Sequence, residues 1–130
     1  MDRAKFIFGN EISQKAYRKA VRKKAKYMRK YGDDAEREVH LSASPAPVIG
    51  DTLGVMQLAA SDKPDVSFGE KSVVIGNIRM GFGHYRISMA LASAAHAMGY
   101  TPYWLDLHSF QDAPCGRIIG EQNRLYSLAS

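Results

Sequence analysis

Between Ser72 and Arg86 three glycines, a histidine and several polar side chains follow a short apolar run, an arrangement suited to holding a phosphate. Gly76, Gly81 and Gly83 follow that run, His84 comes directly after them, and Asn77, Arg79 and Arg86 flank the turn. Glycine lets a backbone approach a ligand closely, and the free N–H groups and dipole of a helix start favour an anion there. A guanidinium pairs with phosphate through two parallel hydrogen bonds. Imidazole titrates near neutrality and can take a proton from a hydroxyl. Each residue also has a plainer role to weigh. His84 would cap a helix or pack at a sheet edge, Arg79 and Arg86 would be solvated, and Asn77 would close a turn. Gly81 and Gly83 would then serve a turn that needs positive φ.

The elements around these residues read as strand, turn, helix and strand. Val73–Ile78 opens with a β-branched run of the kind buried on both faces of a sheet. From His84 onward Ile87, Ala90, Leu91, Ala94 and Met98 recur at helical spacing, and Gly99 stands where a helix stops. Tyr103–Leu107 supplies the second strand, with Pro102 near its start. The expected fold class is α/β: a Rossmann-like fragment of parallel sheet, preceded by a basic helical arm. Phe6–Phe8 is a candidate short third strand. Read as G-x-G-x-x-G from Gly81, the turn ends on Arg86 where a third glycine belongs, although Asp106 could still hold a ribose. GEKS, at Gly69–Ser72, precedes a strand instead of following one and is rejected as a phosphate loop. His40, His96 and His108 have no partners at metal-ligand spacing, and no metal or cofactor is expected.

The string GFGHYRISMALASAA, from Gly81 to Ala95, resembles the first strand–loop–helix unit of GT-B glycosyltransferases. The similarity is to the monogalactosyldiacylglycerol synthases and the transferase that completes lipid II, and it covers about 35 residues. Members of that family carry more consecutive glycines than Gly81 alone, here flanked by Met80 and Phe82. The resemblance implies transfer of a sugar from a nucleotide-diphosphate sugar to a hydroxyl acceptor, such as a lipid in the family's manner. His84 would be the base between acceptor and donor. Gly81 and Gly83 would approach the diphosphate, with Asn77, Arg79, Arg86 and Asp106 as further binding candidates. GT-B enzymes are built from two Rossmann-like domains, commonly more than ~300 residues. The expectation is therefore an N-terminal, acceptor-side piece, inactive alone. Its last helix, Arg117–Ser130, would expose Leu125 and Leu128, and self-association would cover a bare sheet edge.

Charge divides the chain. Residues 1–31 hold eleven Lys/Arg against two acids, whereas residues 32–130 hold seven against eleven. Glu11–Tyr31 reads as one helix with an apolar stripe of Ile12, Ala16, Ala20, Val21 and Met28, and Gly32 as its stop. The opposite stripe carries Lys15, Lys19, Arg22, Lys26 and Arg29. Residues 11–31 thus suggest an anionic membrane surface; the alternative is a non-catalytic Rossmann-like binding module whose basic arm docks nucleic acid or another protein. The alternative to both is a solvated helix with its alanine face on the domain. The expected organisation is an arm over 1–32, an acidic and Pro/Gly-containing connection over 33–71, and the strand–loop–helix–strand unit over 72–130. Within the connection SASPAP reads as a small loop or hinge and Val48–Ala60 as a short helix. Cys115 is the lone cysteine, which excludes a disulfide framework and agrees with a cytoplasmic or peripheral-membrane protein.

Overall fold

The computed structural model describes residues 5–78 and 81–129, and the chain divides into two compact units, Met1–Ala35 and Glu36–Ser130. In the first unit, β1 (Phe6–Ile7) and β2 (Asn10–Glu11) form a two-stranded antiparallel hairpin. Its turn residues Phe8 and Gly9 both take positive φ, the conformation that suits the twist of a tight hairpin. The apolar run at Phe6 therefore pairs locally and adds nothing to the main sheet. Helix α1 (Gln14–Tyr31) follows, starting three residues later than the sequence suggests because Glu11 is held in β2. Ser13 caps it by accepting a hydrogen bond from the Ala16 N–H at 3.3 Å. Gly32, at φ 94°, ends it as expected.

The second unit is a mixed α/β structure around one four-stranded sheet. Its strands are β3 (His40–Pro45), β4 (Met56–Ser61), β5 (Ser72–Asn77) and β6 (Thr101–Asp106), in the spatial order β3-β4-β6-β5. β3 and β4 are antiparallel, while β4 and β5 both run parallel to β6. Residues 33–71, expected to be a connection, thus supply half of the sheet. SASPAP falls largely within edge strand β3, not in a hinge. The helix expected over Val48–Ala60 is only α2 (Ile49–Leu53), closed by Gly54 in the left-handed region before the chain turns into β4.

Between β5 and β6 the chain crosses over through α3 (Phe82–Ala97). Gly99, at φ 78°, stops that helix, and the Tyr100 N–H returns to the Ala95 carbonyl at 2.9 Å. The core gathers Ala46, Val55, Ile75, Ala92 and Trp104, with Tyr85 and Met89 packed against them. The face of α3 turned inward is consequently Tyr85, Ser88, Met89, Ala92 and Ala95. Ile87, Leu91 and Met98 stay exposed. Leu91, Ala94 and Met98 instead line a groove of about 450 Å³ alongside Val73–Gly76 of β5, which pairs on one side only. Alanines and a serine on the inner face let the helix backbone lie close to the sheet, which bulkier side chains would prevent.

A 3₁₀ turn at Leu107–Ser109 leads from β6 to α4 (Pro114–Ala129). Gly116 of α4 is buried against the Phe110 carbonyl, where a Cβ would collide with backbone. Leu125 and Leu128 of this helix are exposed, as the sequence suggests. Among the described residues no helix is long and apolar enough to cross a membrane.

Candidate functional site

The carboxyl ends of β5 and β6 lie side by side, with Asn77 in register with Asp106. In open α/β sheets such strand ends, next to the start of the crossover helix, are where ligands sit. Both residues are buried, Asn77 at 2% exposure and Asp106 at 0%. The side-chain oxygen of Asn77 accepts from the Ser88 hydroxyl at 3.4 Å. Ser88 also reaches the Gly76 carbonyl at 3.4 Å and the His84 carbonyl at 3.0 Å, so it ties the second turn of α3 to the end of β5. Among the described residues, Asn77 Nδ2 and Trp104 Nε1 are buried donors with no hydrogen-bond partner. A buried nitrogen left in that condition costs free energy, and of the two Asn77 stands at the strand end with donor capacity to spare.

Gly81 sits at the start of α3 with φ 86° and ψ 168°, and nothing stands within 4 Å of where its Cβ would be. It is the glycine of this turn that requires positive φ. Gly83, expected to share that need, is instead inside the first turn of the helix and is not among the positive-φ residues. Phe82 and Gly83 therefore present the first N–H groups of α3, which helix geometry leaves without intrahelical acceptors. The His84 side chain is on the exposed surface of that first turn, and Arg86 is exposed one turn further on. Arg79 lies outside the described residues.

Asp106, at 0% exposure, holds its carboxylate inside the fold, as Asn77 does its amide. Its Oδ1 accepts from the His108 N–H at 3.0 Å and so shapes the turn after β6. Gln111 braces that turn through its side-chain N–H, which donates to the His108 carbonyl at 2.6 Å. His40 opens β3 in a separate polar groove of about 570 Å³ shared with Glu38, Asp62 and Asp112. No three His, Cys, Asp or Glu among the described residues are placed to hold a metal ion.

Beside Gly81 is a cleft of about 350 Å³ lined by Gly81, Phe82, Tyr85, Asn123 and Ser127. The Phe82 ring is 82% exposed, so an aromatic face stands at the mouth of the helix N-terminus. Tyr85 is held edge-on to Trp104, with ring centroids 5.4 Å apart. Sequence reasoning missed Asn123 and Ser127, which reach the cleft from α4 and share no local pattern with Gly81. Phe82 and Tyr85 lie within the glycine–histidine string itself, where exposure of an aromatic next to a helix cap was the available signal.

No curated protein and no solved structure matches the chain. A protein-family model described as a domain of unknown function, DUF6937, matches residues 6–130 and so spans both units. The chain belongs to the DUF6937 family.

Proposed function

We propose that β5, α3 and β6 form a Rossmann-like unit that binds the diphosphate of a nucleotide-diphosphate sugar, and that the protein acts in glycosyl transfer to a hydroxyl acceptor. The observation that carries this reading is the unpartnered amide of buried Asn77 at the strand end that leads to the Gly81 turn. An anion at the α3 N-terminus would accept from the first-turn N–H groups and neutralise the positive end of the dipole. Arg86, exposed near the start of α3, adds charge to a leaving diphosphate. His84 takes the proton of the acceptor hydroxyl as its oxygen attacks the anomeric carbon. The bond from that carbon to the diphosphate oxygen breaks, and its electron pair leaves with the nucleoside diphosphate. The cleft between Phe82, Tyr85 and Asn123 offers an aromatic face and an amide to the group carried next to the phosphates.

Ligand-observed NMR with uridine and guanosine diphosphate sugars at physiological salt tests the reading, since salt screens adsorption to exposed lysines. Binding is expected to disappear in Gly81→Val and to persist in His84→Ala, because a proton acceptor contributes to turnover more than to donor affinity. Binding that Gly81→Val leaves intact would place the ligand elsewhere.

A further inference from the structure

Helix α1 carries nine Lys/Arg in Gln14–Tyr31 and no acidic residue, and every one of these cations is exposed. At 3.6 residues per turn, all but Lys24 fall on one continuous arc of roughly 140°. Arg18, Arg22 and Arg29 form one ridge of that arc, and Lys15, Lys19 and Lys26 run beside it. Like charges four apart, such as Lys15 with Lys19 and Arg18 with Arg22, oppose the helix. A polyanion laid along the arc removes that opposition.

The opposite arc holds Ala16, Ala20, Val21, Met28 and three tyrosines, interrupted by Lys24. Tyr17, Met28 and Tyr31 are already half-buried, and Lys5 Nζ stands 5.5 Å from the Tyr17 ring centre. An interfacial membrane helix carries its cations on the polar face and sinks a face of Trp, Phe or Leu into the head-group boundary. The apolar arc of α1 has none of these residues, and Lys24 stands within it. That face gives lipid little apolar area to hold.

A convex basic arc fits a concave anionic surface better than a flat one. The major groove of B-form DNA is about 12 Å wide and admits a helix, whereas that of A-form RNA is too deep and narrow. Duplex DNA also presents one charge per about 1.7 Å of axis. We propose that the basic arc of α1 docks in the major groove of duplex DNA and binds its phosphates without regard to sequence. The arc holds no Asn or Gln to pair with adenine, since Gln14 lies outside it, and the proposal assigns its arginines to phosphates and not to guanine edges. This inference is independent of the glycosyl-transfer reading.

The test is fluorescence anisotropy of the full chain with two unrelated 20-base-pair DNA duplexes, a duplex RNA of equal length, and vesicles containing phosphatidylserine. With about eight phosphates neutralised, log affinity should fall with log salt at a slope near −7, a loss of roughly 10⁴-fold between 50 and 200 mM. The two DNA sequences should bind alike, and both more tightly than RNA or vesicles. Combining Arg18→Gln, Arg22→Gln and Arg29→Gln should lower the slope by about three, with helix content by circular dichroism unchanged. Absence of DNA binding at 50 mM salt would overturn the proposal. So would equal or tighter binding to RNA or vesicles, or a slope that the triple variant leaves as it was.

Discussion

Replacing Asn77 with leucine should make the protein more stable and its ligand site worse. The native side chain is 2% exposed, with Nδ2 unpartnered and Oδ1 accepting only at 3.4 Å from Ser88. That contact is long for an O–H···O hydrogen bond, and Ser88 keeps a better acceptor in the His84 carbonyl at 3.0 Å. Little is lost when Oδ1 goes. Removing an unsatisfied buried donor recovers about 1–3 kcal/mol, and leucine fills nearly the same volume with apolar surface. Imperfect fit of the branched terminus takes back up to about 1.5 kcal/mol. The net expectation is a gain of about 1–2 kcal/mol. In a domain of 60–100 residues each kcal/mol shifts Tm by about 4–8 °C, so calorimetry resolves the change easily. Alanine in the same place would leave a cavity and confuse the result. The companion measurement is diphosphate binding, which should weaken at least tenfold. A Tm that falls by several degrees would refute the reasoning, because it would show that the Asn77 amide serves the fold and not a ligand.

Other substitutions separate the roles of neighbouring residues. Gly81→Ala forces an L-residue to φ 86° and should cost about 1–2 kcal/mol in denaturant melts, whereas Gly83→Ala, in open space within the helix, should be neutral or stabilising by up to about 1 kcal/mol. Gly116→Ala drives a methyl into the Phe110 carbonyl. It should destabilise by about 1–3 kcal/mol despite alanine's better helix propensity, as urea unfolding would show. In a glycosyl-transfer assay of the chain together with a second, donor-binding Rossmann-like domain, His84→Ala should lower kcat by about 10²–10⁴-fold with KM for the donor little changed.

What the sequence makes legible here is what local chemistry decides. β5 follows from its Val-Val-Ile run, the ends of α1 and α3 from Gly32 and Gly99, and the turn between β5 and α3 from Gly81. β3 and β4 do not show, because HLSASP and MQLAAS are rich in serine and alanine and become strands through pairing with each other and, for β4, with β6. The inward face of α3 is equally hidden. Apolar residues occur around much of the helix, and the sheet selects the small Ser88, Ala92 and Ala95 for close approach over the larger Ile87, Leu91 and Met98. At the site, Asn77 and Gly81 are visible as types in the right place. The burial of Asp106 and the arrival of Asn123 and Ser127 from α4 depend on tertiary packing that no local pattern encodes.

The central claim, an anion held at the start of α3 beside Asn77, is tested most directly by residue-resolved NMR of amide groups during titration with inorganic pyrophosphate at physiological salt. The account predicts the largest, saturable shifts at the backbone N–H groups of Phe82 and Gly83 and at the Asn77 side-chain amide. These shifts should be lost in Gly81→Val. Shifts confined to the lysines and arginines of α1, with the α3 N-terminus and Asn77 unmoved, would contradict it.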